Sequence, residues 1–477
     1  MATNNNSSPQ QSQQYPRAFA LLTSLFFMWG FITVTNDVLI NTFEKIFDLS
    51  SFQSGLVQFA FFSAYFVVSL IYFIISSNKG NDPINKIGYK NGMVFSLIVC
   101  GLGCLLFYPA AAAKSYLLFL TALFVLASGV TLLQICANPY AAIMGSKESA
   151  SSRLNFAQGF NSLGTTIGPL IGVVLIFQIF SNGEANVDAV GKTYLIYGII
   201  FLLAAALVKV SKMPTFSNTE QIPKGLEVLK YSHLKWGIVA IFFYVGGEVA
   251  IGSYLVKFFQ HPDVMGLSQE AANYFLAYYW GGAMIGRLLG AVSLNGNISN
   301  NKKYSLMGLI SIGIFGFIYL VTSIKNTNGE FYFQFLDFAK VSLFIAFLVL
   351  NYLAFLLGRS QPARTLSIFA GIVIILLIMS ILGQGQFAFW SIISIGLFNS
   401  IMWSNIFTLA IKDLGKYTSQ GSSLLVMAVV GGAFIPPLQG LLVDSIGIRL
   451  SYLVPIICYA YLVFYGLIGY KQDTTQS

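Results

Sequence analysis

Charge is what this chain has least of. Only 9% of its 477 residues are Asp, Glu, Lys or Arg, against roughly 25% in soluble domains, which excludes an ordinary solvated fold. Histidine is almost missing too: His233 and His261 stand in loops without metal-ligand spacing. The four cysteines, Cys100, Cys104, Cys136 and Cys458, all fall inside apolar runs and only the first two are close in sequence, so no disulfide framework or zinc site is expected. There is no GxSxG turn, no Walker-type loop and no large soluble segment for a nucleotide. The expectation is a non-enzyme with no cofactor and no resident metal. Nor is there the alternating pattern of a membrane β-barrel, because the apolar runs are too long for it.

What is present is oil. Hydrophobic residues make up 56% of the chain, with 43 Phe and 44 Gly, and the mean hydropathy is +0.73. Many apolar runs reach the about 20 residues needed to cross a bilayer as a helix. The fold class is therefore an all-α polytopic membrane protein, with the lipid bilayer as its first partner. The net charge of +9 is scattered over short loops rather than gathered on one face, so it reads as membrane topology and not as nucleic-acid binding.

Residues 1–17, rich in Asn, Ser and Gln, read as a disordered tail; the run after Arg17 is too long and lacks the cleavage pattern of a signal peptide, so it is the first span. Spans are expected near 18–46, 52–76, 92–112, 116–144, 154–181 and 193–210, an N-terminal bundle over 18–210. A polar linker follows at 211–235. A C-terminal bundle over 236–470 holds spans near 236–259, 270–294, 304–324, 338–357, 365–382, 387–411, 419–443 and 451–470, and a short tail occupies 471–477. Fourteen spans starting from a cytoplasmic N-terminus place 19 Lys and Arg inside and 7 outside. That obeys the positive-inside rule and puts both termini in the cytoplasm.

An internal repeat refines this count. Gly164, Pro169, Leu170 and Gly172 of the fifth span reappear at identical spacing as Gly432, Pro437, Leu438 and Gly440 of the thirteenth, and Phe26, Phe27 and Gly30 of the first span are echoed by Phe242, Phe243 and Gly246 of the seventh. With six helices per half, the partner of span five would be span eleven, so two helices have been inserted. Parallel six-helix repeats about an axis along the membrane normal define the major facilitator architecture, here two six-helix bundles plus an inserted pair.

The chemistry centres on polar groups inside spans. The stretch 153–172, RLNFAQGFNSLGTTIGPLIG, sets Gln158, Asn161, Ser162 and Thr165 at helical spacing beside glycine faces suited to close packing. Two carboxylates lie within spans, Asp37 after Asn36 in the first and Glu248 with Tyr244 one turn back in the seventh. Such charges are functional candidates by default. Asp37 can carry a proton, or hold a sodium ion nearby; Glu248 is a second titrating or sugar-orienting acid. Around them stand Thr131, Gln134 and Asn138; Asn273, Tyr274 and Tyr278; and Asn399, Trp403 and Asn405. Sugar hydroxyls both donate and accept, which suits Asn and Gln, and sugar C–H faces pack on Trp or Tyr. Arg153 and Arg287 sit near cytoplasmic span ends, where each is expected to anchor a loop.

At these residues the sequence resembles the fucose–galactose–glucose:cation symporter family of the major facilitator superfamily. The runs from Ser24 to Asp37, Gly129 to Gly145, Arg153 to Gly164, Tyr244 to Leu255, Gly396 to Gly415 and Gly421 to Gly440 carry the likeness. The resemblance implies a transport-essential acid at Asp37 and a sugar-contacting glutamine at Gln158. In the fucose branch the position of Gln134 is a glutamate proposed to exchange the proton, and that of Trp403 is a tyrosine; the glucose/galactose branch shares Gln134 and the Glu248-type acid. It also places the inserted pair at about 304–357 and implies a monomer in the bacterial cytoplasmic membrane. The superfamily's signature between spans two and three is reduced here to Asn85-Lys86-Ile87-Gly88-Tyr89-Lys90.

The resulting expectation is import of a neutral hexose such as glucose or galactose, with fucose as a further candidate, by cation symport with H⁺. Na⁺ coupling and uncoupled facilitation are the alternatives. Cation coupling falls to Asp37 and Glu248; substrate binding falls to Asn36, Gln134, Asn138, Gln158, Asn161, Tyr244, Tyr278, Asn399 and Trp403.

Overall fold

The structure is a computed structural model. It describes residues 16–472 except 50, 81, 182–185, 215, 217–223, 328, 329 and 336. The tails expected at 1–17 and 471–477 therefore lie almost wholly outside the described residues, as does part of the linker.

A backbone in lipid has no water to bond, so long apolar runs close their hydrogen bonds internally as helices. Eight come first: α1 Pro16–Phe47, α2 Ser51–Lys79, α3 Tyr89–Leu105, α4 Tyr116–Ile143, α5 Ala150–Val173, α6 Val187–Val210, α7 Ser232–Gln260 and α8 Gln269–Ser293. Polar side chains set several starts. Ser115 accepts from the Leu118 amide, Asn186 from Ala189 and Ser268 from Ala271, each satisfying a donor that the first turn leaves free. After α8 come α9 Asn300–Ser323, a hairpin of β1 Ile324–Thr327 and β2 Glu330–Phe333, and α10 Phe338–Gly358. The chain ends with α11 Pro362–Leu382, α12 Gly385–Asn399, α13 Met402–Ala410, α14 Thr418–Met427, α15 Gly431–Ile446 and α16 Leu453–Phe464.

Among the described residues, 13 helical stretches are long and apolar enough to cross a membrane. The more polar α8, 25 residues long, falls on the remaining expected span but outside that set. Several expected spans are not continuous helices. That at 92–112 turns at Leu106, between α3 and a short helix Phe107–Ala112. That at 387–411 breaks into α12 and α13 at Ser400 and Ile401, and that at 419–443 passes through a 3-10 turn at Ala428–Val430 between α14 and α15. The fifth span ends in a π-helical turn, Val174–Ile179.

The repeat has a packing basis, although in the second bundle the close approach falls to Gly431, one residue before the Gly432 of the repeat. In one bundle α1 lies against α5, in the other α7 lies against α15, and in both the glycines permit the approach. A Cβ on Gly164 would strike the Phe27 carbonyl, one on Gly30 the Asn161 carbonyl, one on Gly431 the Phe242 carbonyl and one on Gly246 the Ile435 side chain. The inserted α9 and α10 pack on α8, α11 and α12 of the second bundle. Their outer faces expose Leu309, Ile312, Leu320, Val349, Leu353 and Leu357, the composition of a lipid-facing periphery.

The linker side of the molecule is defined by residues 211–231. Tyr140 donates to the Pro214 carbonyl at 2.8 Å, Lys90 to the Ser211 carbonyl at 2.7 Å and the Gly225 amide to the Ser77 carbonyl at 3.1 Å. The start of the linker is thus fastened to the first bundle.

Replacing Gly164 with Val should lower the thermal midpoint in detergent, since forcing methyl groups into a packed contact costs about 1–3 kcal/mol. G308V on α9, where nothing lies within 4 Å, should leave the midpoint in place. Equal midpoints for the two variants would contradict this packing account.

Candidate functional site

On α7, Glu248 is half-buried and accepts the Tyr244 hydroxyl on Oε1 at 2.8 Å. Tyr244 also reaches the Asn399 carbonyl, at 3.1 Å. That carbonyl is available because α12 ends at Asn399; the next one, on Ser400, accepts from Arg287 Nε at 3.3 Å. The Asn399 amide is held on both sides, its Nδ2 donating to the Tyr279 hydroxyl at 2.9 Å and its Oδ1 accepting from Tyr459 at 2.6 Å. Tyr279 closes the ring by donating to the Glu248 carbonyl at 3.3 Å. Glu248, Tyr244 and Asn399 are thus one hydrogen-bonded cluster, fixed by α8, the α12–α13 break and α16.

In the first bundle, Gln134 on α4 donates from Nε2 to the Tyr65 hydroxyl at 2.7 Å, and Asn161 on α5 donates to the Phe26 carbonyl at 3.2 Å. Four predicted site residues carry buried polar atoms with no hydrogen-bond partner among the described residues: Asn36 Oδ1, both amide atoms of Asn138, Gln158 Nε2 and Trp403 Nε1. Each such atom costs about 1–3 kcal/mol unless something binds it. They are contributed by α1, α4, α5 and α13. Packing sets α5 against α1 and α13, and α4 against α1 and α5.

Two expectations fall elsewhere. Tyr278 is turned toward the inserted pair, where Thr322 donates to its hydroxyl at 3.3 Å and Phe344 and Trp390 pack on its ring. A single residue step rotates a side chain by about 100° around a helix, so Tyr279 joins the Glu248 cluster and Tyr278 does not. Arg287 is not a loop anchor. It is half-buried and donates to the Gln158 carbonyl at 3.4 Å and to Ser162 Oγ, both on α5 of the other bundle. Arg153, by contrast, fastens a loop by donating to the carbonyls of Ala141, Ala142 and Ser146. The side chains of Asp37, Asn273 and Tyr274 lie outside the described residues. Tyr65, Tyr279 and Tyr459 were not singled out by sequence, because a tyrosine in an aromatic-rich span has no spacing that separates hydrogen bonding from packing.

On the linker side the bundles are joined by a seam of mostly neutral bonds. Ser151 and Thr408 hydroxyls meet at 2.6 Å, Asn155 donates to Asn405 at 3.2 Å, Gln420 to Ser76 at 2.9 Å, Ser422 to the Ile135 carbonyl at 3.0 Å and Asn85 to the Lys416 carbonyl at 2.8 Å. At its rim Lys147 pairs with Asp413 at 2.6 Å.

These features define a two-bundle membrane protein whose halves meet through polar side chains. The chain matches the family model described as Major Facilitator Superfamily over residues 18–336. It is 42% identical over 477 residues to a glucose/galactose transporter of Brucella abortus, covering 98% of both chains. It is 28% identical to the L-fucose-proton symporter of Escherichia coli, over 96% of this chain and 94% of that protein. A crystal structure of the E. coli fucose:proton symporter superposes with a TM-score of 0.72 at 27% identity, over 96% of this chain and 99% of that one. The chain belongs to the Major Facilitator Superfamily, in its fucose–galactose–glucose:cation symporter family.

The Lys147 hydrogen bond holds the Asp413 carboxyl below its ordinary range. A lowered carboxyl contributes stability above its unfolded value, about 3.9, and loses it as pH falls through the folded value. Wild type should exceed D413N in stability by well under ~1 kcal/mol, as an exposed pair does. In a urea titration that difference should hold from pH 8 to 5 and shrink only below about pH 4; a difference vanishing near pH 6 would contradict the assignment.

Proposed function

We propose that this protein imports a neutral hexose, glucose or galactose, together with a proton across the bacterial cytoplasmic membrane, its two bundles rocking about a central site. The observation that carries the reading is the set of unpartnered buried groups on Asn36, Asn138, Gln158 and Trp403. A sugar hydroxyl can donate to an amide oxygen and accept from an amide or indole N–H, and it needs no cationic clamp. Asp37 is the coupling acid and Glu248, with Tyr244 and Asn399, the second acid of the site. Gln134 and Asn161 position the first-bundle wall. The glucose/galactose and fucose transporters among the relatives support this substrate class. The linker side is the cytoplasmic side, with both termini there, as the distribution of Lys and Arg supports. The protein acts as a monomer.

D37N should abolish accumulation of labelled sugar against a gradient in whole cells while leaving the protein in the membrane; full concentrative uptake by D37N would remove it from the coupling role. Q158A should weaken sugar binding in isothermal titration about 10-fold, the loss of a hydrogen bond worth about 1.4 kcal/mol. Unchanged affinity would place Gln158 outside the site.

A further inference from the structure

Arg287 has no role in that reading, yet it is a permanent charge roughly 9 Å along α8 from its last residue, Ser293, at 1.5 Å per residue. Its donated bonds end on uncharged groups: the Ser400 carbonyl of the α12–α13 break, and the Gln158 carbonyl and Ser162 hydroxyl of α5 across the bundle boundary. Among the described residues it enters no ion pair, and neither does Glu248. The ionisable groups whose charges act on one another around Glu248 are Tyr244 of its own helix, Tyr279 and Arg287 of α8 and Tyr459 of α16. Phenols carry no charge in the physiological range, so Arg287 is the described charge that feels whether Glu248 is ionised. A bonded path also joins them. Tyr244 binds both the Glu248 carboxylate and the Asn399 carbonyl, and the neighbouring Ser400 carbonyl holds Arg287.

We propose that Arg287 is a positioning residue through which the charge on Glu248 controls the linker-side seam. With Glu248 ionised, the guanidinium is compensated and α5 stays closed on α8. When Glu248 takes up a proton, Arg287 becomes a buried cation answered only by dipoles, which is costly. Parting α5 from α8 brings water to it. The proton that arrives on the Glu248 carboxylate leaves from the same group to that water; Arg287 keeps all its protons throughout. Protonation on one bundle is thereby converted into release of the other. The inference rests on reading Glu248 as a proton-carrying acid.

The test is a distance measurement by pulsed electron resonance on the full chain in liposomes, with spin labels on K86C and K412C. Both positions are exposed on the linker side, one on each bundle, and the native cysteines are buried. Lowering pH from 8 to 5.5 should raise the ratio of open to closed seam at least about fivefold, the low end of ordinary coupling between sites. In E248Q the ratio should be independent of pH, which separates Glu248 from every other ionisable group of the seam. In R287Q the pH response should vanish, and in R287K, which keeps the charge, it should persist. A wild-type response in R287Q or E248Q, or its loss in R287K, would overturn the proposal; if R287Q does not fold, the E248Q and R287K results decide alone. Sugar uptake by the same liposomes keeps the two readings apart: a seam that responds in a protein that moves no sugar sinks the transport reading and leaves this one standing.

Discussion

Inside a bilayer a carbonyl that leaves its helix must find a donor from the protein, since no water is at hand. The break between α12 and α13 is built on that constraint. Asn399 and Ser400 present two carbonyls to the bundle interior, and Tyr244 and Arg287 supply the donors. From that pair of bonds the rest of the site hangs: Tyr244 carries Glu248, the Asn399 side chain carries Tyr279 and Tyr459, and Arg287 reaches across to α5. A straight helix here would leave the carboxylate without this scaffold.

Close packing does the complementary work. Where Gly30 and Gly164 bring α1 and α5 together, and Gly246 and Gly431 do the same for α7 and α15, each bundle has a rigid helix pair. The polar faces of these helices are thereby held in fixed positions on either side of the boundary. The seam between the bundles is made differently, from hydroxyls and amides whose net bonds are individually worth about 1 kcal/mol. A strongly paired seam would resist opening; a neutral one can exchange its bonds for water. The separation into stiff bundles and a yielding boundary is what a rocking mechanism requires.

Much of this fold was legible in the sequence, because span length and apolarity are direct consequences of bilayer thickness. The repeat pointed to an added helix pair in the second half, and α9 and α10 pack on α8, α11 and α12 there. The break at Ser400 was not legible: its partners, Tyr244 and Arg287, are remote in sequence and sit on other helices. Helical periodicity gave a face for Asn399 and Gln158 but could not choose between Tyr278 and Tyr279, which depends on how α8 is rotated against its neighbours. Arg287 was misplaced for a related reason. Its distance from the end of α8 is about two turns, and sequence does not say whether the next helix covers it.

The central claim is that a proton gradient drives a neutral sugar through this boundary. It is tested most directly by uptake into proteoliposomes of the purified protein, with glucose and galactose offered under an imposed pH gradient or an imposed Na⁺ gradient. The account predicts accumulation above equilibrium when the outside is acidic, abolished by an uncoupler and indifferent to Na⁺. Simple equilibration under both gradients, or accumulation that follows Na⁺ alone, would contradict it.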